Sequence, residues 1–525
     1  MSQHHETKPA PLRRRDYLGF VLPMAVLLGT AMAIASVYLG QDHNYDQRNY
    51  HLYDGYSYYH GRFDLDYLVA DIHTFLNPSL HALQYLLISS FRPAITGAIL
   101  GIVHSLNLIA AAVLVLYFLD GPRWAKYMMA VLASAAAASG PMFLSEIGTT
   151  FSDIWTAPAV VLAAGLIAMS PSSQNSKYLL AIAGVLLGVA AAVKLTNGSF
   201  ALAGAVCVIF LKIRTDISWT AFVCFVVGGL IGFGLVGGEW AFRLWTNFSN
   251  PVFPFFNGLF RSPDFYFHNI KDERFGASGI VDLLAAPWQA AVGTLETAEI
   301  KFRDARMLLL VALAVCVAFH HQRHARPSNY LAVFGVFYVS SYLLWYVFFG
   351  IQRYMLPLEI LAGPICVLLI NRLCQPRQAV MLAAALTIGL ASWTRTGTWG
   401  RVEWAAAWQS PQLSDGIDGT RLFVFLDPPP IPVASAVLAL PASASYIRLG
   451  GHVPLVRGTT FHRRATTIVD RLRNAKAKAL IVDRPIPAIA LSQLQQMGLA
   501  LTQACTRIVI QHLSLQACDL KWNAD

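Results

Sequence analysis

The sequence predicts a mainly α protein: a polytopic bundle of about eleven membrane-spanning helices, followed by a small α/β domain at 396–525. Three observations predict it. Hydrophobic residues make up 56% of the 525-residue chain and charged residues 13%, with a mean hydropathy of +0.50; soluble domains carry about twice that charge. Apolar windows of roughly 17–25 residues, enough to cross the hydrocarbon core, recur throughout the first three quarters of the chain. No such window follows residue 395, where short strand-like and helix-like runs take over.

The expected spans lie near 17–39, 94–119, 127–145, 154–170, 178–194, 199–213, 218–237, 306–320, 330–350, 354–371 and 378–395, so 1–395 reads as the membrane body. The segment 80–91, LHALQYLLISSF, is too short to span and reads as interfacial. Lys and Arg set the orientation. Arg13, Arg14 and Arg15 precede the first span; Arg123 and Lys126, Lys177, Lys212 and Arg214, Arg323 and Arg326, and Arg372 and Arg377 then occupy every second connection. The N-terminus is therefore expected in the cytoplasm, with loops 40–93 and 238–305 and the tail outside. The histidine-dense HHQRH at 320–324 belongs to a cytoplasmic connection. Much of the net charge of +10 serves as anchoring to membrane lipids, so no nucleic-acid partner is needed. The first apolar run lacks a clear small-residue cleavage site and reads as a signal anchor.

In the tail, RLFVFL and KALIVD read as strands, whereas TTIVDRLRNAKA and AIALSQLQQMG have helical spacing. DPPPIP interrupts any helix; the Asp and Pro after RLFVFL suit a structural turn or a ligand-binding one. Five cysteines lie in or beside spans as small apolar side chains. Cys505 and Cys518 instead flank two strand-like runs symmetrically about Gln511 and His512, and a hairpin there would set them opposite each other for a disulfide in an oxidising compartment.

Candidate chemistry concentrates outside the first span. The stretch 40–78 holds Asp42, Asp46, Asp54, Asp64, Asp66 and Asp71 with seven tyrosines, and His43, His51 and His60. On a helix Asp42 and Asp46 would share a face with Tyr50 and Tyr53. A carboxylate at the membrane–water boundary, walled by rings, suits a general base, although solvated loop charge is the competing reading. A second acidic site is Glu146 and Asp153 in SEIGTTFSD, a connection without Lys or Arg; helix capping by Asp153 is the alternative there. Lys194, Arg243 and Arg353 break the positive-inside pattern and suit a phosphate, against snorkelling to outer headgroups. The segment FRLWTNFSNPVFPFFNGLFRSPDF, with Pro251, Pro254 and Pro263 among aromatics, could stack on a sugar, line a lipid path or simply anchor at the interface. No Walker loop, dinucleotide fingerprint, HExxH or CxxC occurs.

Taken with the motifs YDQRNYHLY (45–53), HTFLNP (73–78), NPVFPFFN (250–257) and QRYMLP (352–357), the pattern resembles the GT-C superfamily of integral-membrane glycosyltransferases, in a bacterial branch of it. The resemblance covers most of 1–395. It implies a polyprenyl-phosphate sugar donor, a glycan, lipid or protein acceptor, and a location in the bacterial cytoplasmic membrane. It implies Asp46 as the catalytic base, with Asp42 as the fallback, and Arg353 on the carrier phosphate. The substrate groove would then draw on His51, Tyr50, Asn77, Asn250, Asn257 and Tyr354 from the matched motifs. The pair of adjacent acids found in other branches is absent, and the involvement of a divalent metal is left open. The expected reaction is inverting transfer, with Asp46 and Arg353 on the wall of one cavity about 10 Å apart or less. A flippase or transporter of lipid-linked sugar, or a glycan polymerase or ligase, is the alternative; the lack of internal repeats weighs against a transporter.

Overall fold

The computed structural model describes residues 14–270, 272, 274–275, 279–324, 329–408, 411–412, 417–427, 429–453, 455–482, 485–510 and 513–523. Arg13, Arg326 and Gln511–His512, where a hairpin turn is expected, lie outside them. Among the described residues, eight helices are long and apolar enough to cross a membrane: Arg15–Leu39, Pro93–Phe118, Ser152–Ser172, Ser176–Val193, Leu195–Arg214, Trp219–Phe248, Asn329–Phe348 and Gln352–Leu373. The remaining three expected spans are helical too, at Arg123–Ala138, Arg306–His324 and Pro376–Trp393. Arg123 and Lys126 occupy the first turn of the 16-residue helix, which shortens its apolar run. The protein is a multi-pass membrane protein, mainly helical, with a small sheet-containing C-terminal region.

The chain divides into two compact units. The first comprises Met1–Leu39, Gly97–Val236 and Lys271–Trp399. Its most enclosed span is Gln352–Leu373, in which 89% of the apolar window is buried. Small side chains such as Ala133, Ala137, Ala163 and Ala362 fill the helix contacts, as suits spans whose association rests on close backbone approach.

The second unit comprises Gly40–Thr96, Gly237–Ile270 and Gly400–Asp525. Its centre is a six-stranded sheet: β1 Pro411–Gln412, β2 Leu422–Phe425, β3 Ser445–Arg448, β4 Ala477–Val482, β5 Leu499–Ile510 and β6 Leu513–Trp522, in the order β1-β5-β6-β4-β2-β3. β2 pairs in parallel with both β3 and β4, while β6 runs antiparallel to β4 and β5. The apolar run of β2, and that of β4 apart from Lys478, reflect burial on both faces. Leu422 and Val424 face a core with Phe461, Phe75, Trp240, Phe248 and Phe253. Phe423 and Phe425 face another, which holds Tyr50, Tyr53 and Tyr56. Segments from 40–96 and 237–270 thus cover the sheet, and Trp240 Nε1 donates to the Phe75 carbonyl at 2.9 Å. Tyr67 extends the β3 edge: its amide donates to Tyr446 O and its carbonyl accepts from Arg448 N.

Cys518 stands opposite Cys505 in the β5–β6 ladder and is bonded to it. With the two positions 13 apart in sequence, replacing both by Ser is expected to destabilise this unit by about 3 kcal/mol on the chain-entropy scale. The denaturant midpoint of the purified protein measures this. Mass mapping that found two free thiols would remove the bond.

Candidate active site

In the first unit, four of the singled-out charges come together. The Ser176–Val193 helix ends at Lys194, which is extended (φ −142°, ψ 110°), and Asn197 secures that end by donating to Ala190 O at 3.0 Å and to Thr156 Oγ1 at 2.9 Å. Lys194 Nζ lies 2.6 Å from both oxygens of Asp153 and 4.1 Å from the centre of the Tyr354 ring. Asp153 sits in the first helical turn after Phe151, whose position as N-cap is unassisted by any side chain; its carboxylate meets Lys194 and makes no cap. The Arg353 guanidinium rests over Phe151 at 4.7 Å, Tyr354 at 5.5 Å and Trp399 at 5.8 Å. Rings hold a guanidinium through their negative faces while leaving N–H donors for an anion. Arg353 lies in the short helical turn Gln352–Met355 that opens the Gln352–Leu373 span, which fixes its level.

Glu146 completes this group. It ends the helix Pro141–Glu146, whose first amides, Met142 N and Phe143 N, donate to the Glu359 carboxylate at 3.1 and 2.9 Å. Gly140 permits that approach, because a Cβ there would stand 1.9 Å from Glu359 Oε1. The turn after it is tied down by Thr149 Oγ1 donating to Glu146 O (2.9 Å), Gly148 N to His104 Nδ1 (3.0 Å) and Trp399 Nε1 to Ser145 Oγ (2.9 Å). Glu146 is 0% exposed, and among the described residues neither carboxylate oxygen has a hydrogen-bond partner. Burial, then the charge of Asp153, push its carboxyl well above the usual range, with Lys194 and Arg353 opposing.

In the second unit, Asp42 and Asp46 do not share a helix face. Asp42 belongs to a two-residue strand paired with Arg401, and its carboxylate accepts from Asn44 N and Asn44 Nδ2 (3.2 and 2.7 Å). That turn bends the chain before any helix starts. Asp46 directly precedes the helical turn Gln47–His51 and is buried. Tyr50 stacks on His73 at 4.6 Å and meets His51 edge-on at 4.4 Å; His51 lies 4.6 Å from His81. Burial lowers the affinity of His73 for a proton, and the charge of Asp46 opposes this.

Arg448 of β3 fastens this turn to the sheet. Buried, it donates to Asp427 O (2.9 Å), Ile431 O (2.8 Å) and Asn49 Oδ1 (3.2 Å). Arg243 pairs with Asp64 at 3.3 Å and lies over Phe63 at 4.6 Å. The three asparagines are engaged by local partners. Asn77 accepts from Ser79 N (3.0 Å), Asn250 donates to Phe255 O (3.0 Å), and Asn257 donates to Ser262 O and Tyr266 O (3.0 Å each). They shape their loops. No group of three or more His, Cys, Asp or Glu side chains suited to a metal ion occurs among the described residues.

Sequence reading did not single out Phe151, Trp399, Glu359, Arg448 or the pair Asp71–His452. Asp71 adopts φ +54° and is buried, accepting from the His452 amide at 3.0 Å and closely from the His452 ring. A Cβ on Gly451 would meet that carboxylate at 2.4 Å. His452 is raised from 6.5 by its hydrogen bond to Asp71. Asp71 is lowered from 3.8: burial opposes the shift, but His452 and then Arg448 prevail. The carboxylate contributes above 3.8 and the imidazolium below 6.5, so the pair holds best between these values and weakens as pH rises through the raised His452 value. Melting of the wild type is therefore expected to drop as pH is taken upward from about 6, and His452→Ala to flatten that slope; equal slopes would remove the tether.

No family model and no curated protein matches the sequence. Solved structures do. Crystal structures of ArnT from Cupriavidus metallidurans, bound to undecaprenyl phosphate and in the apo state, each superpose with a TM-score of 0.53 at 11% identity, covering 96% of this chain and 98% and 97% of theirs. An Archaeoglobus fulgidus oligosaccharyltransferase in the apo form gives a TM-score of 0.42 at 14% identity, over 89% of this chain and 70% of that one. The fold is thus the GT-C fold that the motifs resemble.

Proposed function

We propose that the protein is a membrane glycosyltransferase that moves a sugar from a polyprenyl-phosphate donor to a cell-envelope glycan, lipid or protein acceptor on the outer side of the bacterial cytoplasmic membrane. The observation that carries this is the pair of cations, Lys194 and Arg353, set against aromatic faces beside the buried carboxylates Asp153 and Glu146. Such a group suits a lipid-linked phosphate: Arg353 offers a planar fork of donors and Lys194 a point charge. The same fold in ArnT holds undecaprenyl phosphate, which supports a polyprenyl carrier here.

In this reading Asp46 takes the proton of the acceptor hydroxyl as that oxygen attacks the anomeric carbon. The bond from that carbon to the phosphate oxygen breaks, its electron pair stays on the phosphate, and the configuration inverts. Polyprenyl phosphate is a good leaving group, so positioning and charge stabilisation supply most of the acceleration. Arg448 and Asn49 support the turn that carries Asp46. Arg243, engaged with Asp64 and Phe63, is the weakest candidate for the phosphate.

Reconstitution in liposomes with polyprenyl-phosphate sugars tests the proposal, and the glycan profile of a deletion strain selects the sugar to supply. A covalent glycosylated product is the expected result. Sugar-lipid translocation without product would replace the enzyme by a flippase.

A further inference from the structure

The helix Ile280–Val292, IVDLLAAPWQAAV, enters none of the chemistry above. Its 13 residues make about 20 Å of helix, too short to cross a bilayer. One side of it is bare. Ile280 is 72% exposed, Val281 75%, Leu284 74% and Trp288 61%, and at helical spacing these four positions cover about 100° of the surface. Ala286 and Ala290, on the opposite side, are buried. Its one charge, Asp282, stands in the first turn.

The helix is fastened to membrane spans of its own compact unit. The Tyr346 and Tyr342 hydroxyls, on the span Asn329–Phe348, donate to Gly279 O at 2.7 Å and to Leu283 O at 2.6 Å. At the helical rise these tyrosines stand about 3 and 9 Å in from the end of that span, and long side chains lean back towards a helix N-terminus. The helix therefore lies level with the last turns of the span. That span shows its own exposed stripe, Val339, Leu343 and Val347. Leu283 O is the carbonyl that the amide at position 287 would ordinarily serve, and Pro287 has no N–H to give. The Tyr342 hydroxyl takes its place. At the other end, Gln289 O accepts from Gly293 N and Thr294 N (2.9 Å each), Ala290 O from Asp304 N (2.8 Å) and Ala291 O from Trp393 Nε1 (2.7 Å). Protein donors thus serve carbonyls that water can serve on a surface helix, which is the condition hydrocarbon imposes on a backbone.

We infer that Ile280–Val292 is an interfacial helix whose bare side, Ile280, Val281, Leu284 and Trp288, binds the upper acyl chains of the surrounding leaflet. An apolar side of this breadth, level with the spans and carried on a backbone already satisfied, fits lipid better than water, and a tryptophan suits the boundary. This seat is independent of what Arg353 binds.

The test uses the full-length protein in lipid nanodiscs. Trp288→Phe keeps a ring on an exposed face, and subtracting its fluorescence from that of the wild type isolates Trp288 among the 12 tryptophans of the chain. Phosphatidylcholine brominated near the top of its acyl chains should quench that component about twofold or more, with weaker quenching by lipid brominated near the chain ends and none by aqueous iodide. A component that neither brominated lipid quenches overturns the proposal, and quenching by iodide then puts this side in water. In native membranes, p-benzoylphenylalanine in place of Leu284 should join to phospholipid on illumination. A covalent dimer, or an adduct with another protein, gives this side to a protein partner and overturns the lipid seat as well.

Discussion

Replacing Asp46 by Asn is expected to lower glycosyl transfer by about 10²–10⁴-fold, the usual contribution of a positioned general base. The substitution is nearly isosteric. Asp46 is buried at the start of the Gln47–His51 turn, where it acts electrostatically on His73. The loss should therefore fall on kcat, with polyprenyl-phosphate binding and expression unchanged. Asp42→Asn is the informative companion. Its carboxylate closes the turn through Asn44 and faces Arg401 across a two-residue ladder, so its replacement should disturb the shape of the loop. If Asp46→Asn turns over at near the wild-type rate in the liposome assay, the base is misassigned. If Asp42→Asn alone is inactive while remaining folded, Asp42 takes the role.

Removing the Arg353 guanidinium is expected to weaken binding of the lipid-linked donor by about 10²-fold, the scale of one or two charge-assisted hydrogen bonds. Arg353→Lys should recover only part of this. A lysine keeps the charge, but it lacks the planar fork that lies over Phe151, Tyr354 and Trp399. Lys194→Ala should cost less in binding but more in stability. It leaves Asp153 buried at 2% exposure without its 2.6 Å partner. Donor affinity measured with polyprenyl phosphate in nanodiscs, beside the melting temperature, separates the two effects. Unchanged affinity in Arg353→Ala would detach this residue from the phosphate.

The sequence by itself determined which segments are membrane helices, because burying about twenty apolar residues in hydrocarbon decides their state locally. It also determined the strands RLFVFL and KALIVD and the helix in AIALSQLQQMG, whose periodicity is local, while the helix expected over TTIVDRLRNAKA lies earlier, at Thr460–Arg471. It picked out Glu146 and Asp153 as one acidic site and Lys194 and Arg353 as separate cations, charges that the positive-inside pattern and an apolar chain do not explain. Only the tertiary structure decided what those charges meet. The Asp153–Lys194 pair joins residues 41 apart, and the Arg353 rings come from Phe151, Tyr354 and Trp399. Sheet order was equally out of reach, since β2 sits between β3 and β4 through pairings that no local pattern encodes. The same holds for Arg448, which reaches Asn49 across 399 positions, and for the carboxylate of Asp71 set against His452. A local run of residues carries its own solvation and backbone preferences. A buried ion pair or a ring over a cation exists only once packing has removed the water between partners distant in the chain.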